Sequence, residues 1–195
     1  MVSSDWAVHV RIQRERAHRQ PGAGFTLIES IVVLAIIAVL LCIAIPSFSR
    51  MLARHRVVTA QLELIASLQH ARSLAITSGR RILFCPLASD ATCANDTHWE
   101  HGWAIGRYLS TNADQLDGPP SWVHNGYRQL IITSTGGRKR VRFQPDGTTG
   151  GSNVSFTLCG QGHTEDALTI TVSIVGRVAS AKASDDQAYR CATDS

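Results

Sequence analysis

The sequence predicts an α+β chain: a long N-terminal α-helix whose first part is a transmembrane segment, followed by a β-rich head. Three observations carry this expectation. Residues 25–45, FTLIESIVVLAIIAVLLCIAI, contain Glu29 as their one ionisable side chain. Apolar residues then recur at helical spacing as far as Ser78, and beyond Gly79 short stretches alternate apolar and polar residues with a period of two. At 195 residues, 44% of them hydrophobic, the chain has room for one head and one anchor but not for two substantial domains. The net charge of +4 is too small to indicate nucleic acid unless the cations cluster.

Residues 1–24 read as a basic leader, with Arg11, Arg14, Arg16 and Arg19 set against Asp5 and Glu15. As a helix, residues 25–45 would span roughly 30 Å, the thickness of a bilayer core. The positive-inside rule keeps the basic end in the cytoplasm and puts the head outside. An ordinary secretory signal fits poorly. The apolar run is too long, no A-x-A site follows it, and the small residues Gly22-Ala23-Gly24 precede it. Cleavage after Gly24 would leave the anchor on the mature chain, beginning at Phe25. A carboxylate at Glu29 costs on the order of 3 kcal/mol inside a bilayer unless it is compensated. The amino group that cleavage creates on Phe25, one helical turn away, is a suitable partner, as is that of a neighbouring subunit.

Residues 46–78 read as an amphipathic helix continuing into the head. Pro46 removes a backbone donor and weakens the helix where it stands. Val58, Leu62, Ile65, Leu68, Ala71 and Ala75 recur at spacings of three and four and are expected to share the face that packs on a sheet. Gly79 is placed to cap the helix. In the head, residues 79–195, alternation predicts strands over Leu168–Ile174, Val154–Leu158 and Arg140–Phe143. Weaker candidates lie at Ile82–Cys85, Trp103–Leu109 and Leu130–Thr133. Asp146-Gly147 and Gly150-Gly151 supply turns, and residues 112–120 read as a surface loop. Cys42 falls in the apolar run, whereas Cys85, Cys93, Cys159 and Cys191 lie beyond it. Four exported cysteines allow three pairings. The favoured one closes a short loop with Cys85–Cys93 and ties down the C-terminal tail with Cys159–Cys191.

Gly24-Phe25-Thr26-Leu27-Ile28-Glu29, the apolar run and Pro46 together resemble the class III signal of type IV pilins and type II secretion pseudopilins. A narrower set resembles the pseudopilin H/FimT family: Ala71-Arg72-Ser73-Leu74-Ala75, Cys85-Pro86, Trp99 with Gly102-Trp103, Phe143-Gln144-Pro145-Asp146-Gly147 and Gly176-Arg177-Val178. The resemblance implies a pilin-like helix on an antiparallel, β-sandwich-like head. It implies cleavage between Gly24 and Phe25, and methylation of Phe25, by a prepilin peptidase/methyltransferase. It also implies subunit docking through Glu29, and a helix kinked or locally melted at Pro46. The expected partners are other pilins or pseudopilins, an inner-membrane assembly platform and membrane lipid, with the head in the periplasm of a bacterium.

No nucleophile elbow, Walker loop or dinucleotide fingerprint occurs, so neither an enzyme nor a cofactor is expected. His98 and His101 with Cys93 lack the second cysteine pair of a zinc site. Arg138, Arg140 and Arg142 would project from one face of a strand and could track phosphates; the alternative is a solvated face or guarded edge. Relatives in the FimT branch bind DNA through a G-R-x-R element, of which this chain has Gly176-Arg177-Val178-Ala179, with Ala179 replacing the second arginine and Lys182 nearby. The principal expectation is a minor pseudopilin of type II secretion or a type IV pilus, and the alternative a DNA-binding minor pilin.

Overall fold

The computed structural model describes residues 25–108, 111–112, 114–151 and 153–193. Helix α1, Leu27–Ser78, is helical through Pro46. The proline forfeits the bond to the carbonyl four residues earlier, at Cys42, but the expected weakening produces no melted turn. Two compact units divide the chain, one ending at Ile43 and one beginning at Ala44. The second contains the head.

Within that second unit, α1 buries Val57, Ala60, Leu64, Leu68, Ala71 and Ala75, a stripe at spacings of three and four. This corrects the expected face at its N-terminal end, where Val58 and Leu62 are 39% and 61% exposed. Three of the six buried residues are alanines, which let the helix backbone approach the sheets closely. The larger Leu62 points away. Gly79, with φ of +61°, ends the helix in the left-handed conformation that glycine adopts without strain.

The strands are β1 (Ile82–Pro86), β2 (Gly102–Arg107), β3 (Trp122–Asn125), β4 (Leu130–Ser134), β5 (Val141–Phe143), β6 (Val154–Gly160), β7 (His163–Val172) and β8 (Val178–Lys182); helix α2 (Asp185–Thr193) follows. They form two four-stranded antiparallel sheets, ordered β3-β2-β1-β5 and β4-β6-β7-β8. The inner faces of both sheets and the buried stripe of α1 share one core. Trp99 joins the sheets at its centre. Its ring stacks on Phe84 of β1 at 5.3 Å and meets Phe156 of β6 edge-on at 5.0 Å.

Each sheet also has a smaller apolar cluster on its outer face, and each cluster holds a disulfide. Leu83, Cys85 and Ala104 are covered by Leu87, Cys93, Tyr108 and Leu116, with Cys85 bonded to Cys93. Ile131, Cys159 and Ala167 are covered by Ala183 and by Ala188 and Cys191 of α2, with Cys159 bonded to Cys191. The chain leaves β3 through a close approach, because Tyr127 N–H donates to the Glu100 carbonyl at 2.7 Å. A Cβ on Gly126 would stand 2.2 Å from that oxygen, so only glycine fits.

Candidate functional site

The N-terminal segment begins at Phe25; Gly24 lies outside the described residues. Thr26 caps α1: its hydroxyl accepts the Glu29 N–H at 3.3 Å and its carbonyl accepts the Ser30 N–H at 3.2 Å. The sequence carries the spacing of a capping-box pair here, Thr26 followed three residues later by Glu29. Its carboxylate therefore stands in the first turn, where the helix dipole favours an anion. The apolar window of α1 that follows has no buried residues. Phe25, Leu27, Ile43 and Ile45 are each at least 64% exposed.

The arginines expected to form a cationic row are arranged differently. Only Arg142 lies in a strand, since β5 spans Val141–Phe143. Arg140 is half-buried, with Nε donating to the Asp114 carbonyl at 3.0 Å and Nη1 to the carbonyls of Ala94 and Lys139 at 2.7 Å. Arg142 pairs with the Asp114 carboxylate. Together with Arg138 they line a small concavity of about 30 Å³. Because Arg140 is turned inward and Arg142 is paired, the three do not form the row that strand alternation implied. Arg177 is elsewhere, at the β7–β8 turn beside Arg72, and Lys182 ends β8. Cys93 is committed to its disulfide. His98 and His101 face Glu100 at 3.2 and 3.8 Å.

A third arrangement was not visible in the sequence. Glu63 on α1 accepts hydrogen bonds at Oε2 from Tyr127 and, at 2.8 Å, from His124 of β3. The His124 ring stacks on Trp103 at 4.1 Å. These contacts clasp α1 to the edge of the first sheet. The Tyr127 hydroxyl bond holds the Glu63 carboxyl below its ordinary pKa, with His124 acting in the same direction and partial burial opposing. Burial and the Glu63 carboxylate push the Tyr127 hydroxyl up. A depressed carboxylate pKa contributes stability that is present above the unfolded value and lost as pH falls through the folded one. The thermal midpoint is therefore expected to fall on acidification below about pH 4, and to fall less in Glu63→Gln. Equal acid sensitivity in the two proteins would show that the clasp is not the titrating element.

Beside the clasp, Glu63, Ala66, Ser67, His70, Trp122 and His124 line an open groove of about 410 Å³. Its walls are aromatic: Trp122 lies 6.4 Å from His70 and 5.9 Å from His124, centroid to centroid.

Residues 60–176 match the family described as type II transport protein GspH, a span that takes in most of the buried stripe of α1, the clasp and every strand of the two sheets except β8. The chain belongs to the GspH family. Residues 21–45 match the prokaryotic N-terminal methylation motif. The GspH-family fold is similar to crystal structures of the type IV minor pilin FimU of Pseudomonas aeruginosa in two crystal forms, at 26% identity. The TM-scores are 0.53 and 0.55, covering 63% and 65% of this chain and 90% and 88% of FimU. The minor pseudopilin EpsH from the Type 2 Secretion System of Vibrio cholerae is similar at 12% identity and a TM-score of 0.45, over 64% of this chain and 94% of EpsH. No curated protein sequence matches. Members of the GspH family are structural pilin subunits rather than enzymes. The methylation motif and the apolar helix mark this member as membrane-anchored.

Proposed function

We propose that the chain is a minor subunit of a periplasmic filament, serving type II secretion or a type IV pilus. A prepilin peptidase cuts after Gly24 and methylates Phe25. The helix from Phe25 to Ile45 holds the subunit in the bacterial inner membrane until an assembly platform moves it into the filament. The observation that carries this reading is the uncovered apolar surface of α1 directly behind the methylation motif. Large apolar surface without a partner marks membrane or subunit contact, and a helix that serves first in lipid and then in a filament needs both. Phe48, Met51 and Leu62, at 61–66% exposure, extend such a surface along the part of α1 that belongs to the head unit. The 26%-identical FimU, a type IV minor pilin, supports the same role.

Glu29 has two tasks in this reading. It sets an anion in the first turn of its own helix, where the dipole favours one, and it offers that anion to the methylated amino group of a neighbour. Co-expression with a prepilin peptidase is expected to shorten the chain by the leader, and Gly24→Ala to abolish the shortening. Glu29→Ala should still insert and be cleaved but fail to enter filaments. An uncleaved chain in the presence of active peptidase would overturn the reading; normal assembly of Glu29→Ala would remove the charge-pairing role alone.

A further inference from the structure

Strand β3 ends its sheet and pairs with β2 alone, so its other edge presents unpaired backbone donors and acceptors among the described residues. Natural edge strands are commonly guarded by charge or proline, as β8 is by Lys182. β3 reads Trp122-Val123-His124-Asn125 and carries neither. Trp122 and Val123 remain 36% and 38% exposed. Alternation along the strand puts Trp122 and His124 on one face, the face that lines the groove with α1. A strand added to this edge would set every second side chain beside that groove.

The groove's chemistry selects among such side chains. The face of an indole attracts cations, and the Trp122 ring stands between those of His70 and His124 along the wall. The carboxylate of Glu63 lies among them. Its Oε2 serves the clasp, whereas Oε1 accepts no hydrogen bond among the described residues. Ala66 leaves the α1 side of the groove open. Apolar walls with one anionic acceptor suit a side chain with a methylene stem and a charged head, and disfavour a carboxylate.

We propose that the α1–β3 groove is a docking site for an extended segment of another polypeptide, which pairs with the free edge of β3 and inserts a lysine or arginine beside Glu63. Main-chain pairing supplies affinity and the inserted cation supplies specificity, the division of labour seen where strands are added to open sheets. The inference concerns a partner of the head and is independent of how the chain is anchored or processed.

The test uses the full chain in neutral maltoside micelles at about pH 8. The probes are the blocked peptides Ac-TVKVT-NH2 and Ac-TVEVT-NH2 at about 1 mM, a concentration suited to a short single strand. Hydrogen exchange of the fragment spanning residues 121–126 is read by mass spectrometry. The lysine peptide is expected to slow exchange there and the glutamate peptide to leave it unchanged. Glu63→Gln and Trp122→Ala should each weaken the lysine peptide about tenfold. Trp122 is at an exposed edge, so its truncation leaves the core intact. No slowing by the lysine peptide, equal slowing by both peptides, or undiminished binding to Glu63→Gln would each overturn the proposal.

Discussion

Trp99→Ala is expected to destabilise the head by about 3–5 kcal/mol, the range for truncating a fully buried tryptophan. Trp99 is 0% exposed and contacts an aromatic ring from each sheet, Phe84 from one and Phe156 from the other. Its backbone N–H also donates to the Ile132 carbonyl at 2.8 Å, and its Nε1–H to the Ser134 hydroxyl at 3.0 Å. The substitution therefore removes the transfer free energy of the ring, opens a cavity where the sheets meet, and deletes a buried hydrogen bond. Trp99→Phe retains most of the apolar volume and should cost less, with the lost Ser134 bond contributing about 1 kcal/mol. Chemical denaturation of the full chain in micelles, followed by near-ultraviolet circular dichroism, reads both variants. A loss below about 1 kcal/mol for Trp99→Ala would mean that the sheets are held together by other contacts.

The second large effect concerns α2. With nine residues, this helix is too short to be stable alone, and the residues it buries are only Ala188 and Cys191. The Cys159–Cys191 bond closes a separation of 32 positions, for which loop-closure entropy gives about 3.7 kcal/mol; the separation of 8 positions from Cys85 to Cys93 gives about 2.5 kcal/mol. Cys191→Ala is therefore expected to cost more than Cys93→Ala, and to free α2 from the sheet while the central core stays folded. Hydrogen exchange across residues 185–193 should accelerate in Cys191→Ala and remain slow in Cys93→Ala. Unchanged protection of α2 without its disulfide would show that its alanine contacts suffice.

Much of this architecture can be read from residue spacing. The long helix, its glycine cap at Gly79, the strands β1, β2, β4, β5 and β6 and the C-terminal half of β7 follow from period and turn chemistry, whereas the expected strand over Leu168–Ile174 ends earlier, at Val172, and begins earlier, at His163. The misplacement of Val58 and Leu62 has a clear cause. A helix carrying apolar residues on two sides offers more than one stripe, and packing selects the one whose small residues admit the sheets, through Ala60, Ala71 and Ala75. β8, with Ala179 and Ala181 among its five residues, lacks the bulky alternation that marks a strand. β3 is four residues long, and α2 has two buried positions. Short elements of this kind are defined by what they lie against. The clasp and the groove are less legible still, because Glu63 and Tyr127 are 64 positions apart and meet only when α1 lies along the first sheet. Sequence clustering drew notice to Arg138, Arg140 and Arg142, yet Arg140 and Arg142 turn to Asp114 and to backbone carbonyls.

The change in burial along α1 also has a practical meaning for anyone who wants the head in water. Ala44 opens the compact unit, but Phe48, Met51 and Leu52 then follow on the exposed side, and the first fully buried position is Val57. A chain started at Arg54 would shed those greasy residues yet keep every side chain that α1 contributes to the interior. Its new end would be basic, with Arg54 and Arg56 in the first turn, opposed to the helix dipole. An acidic or serine residue placed just ahead of Arg54 would restore what Thr26 and Glu29 provide at the natural start.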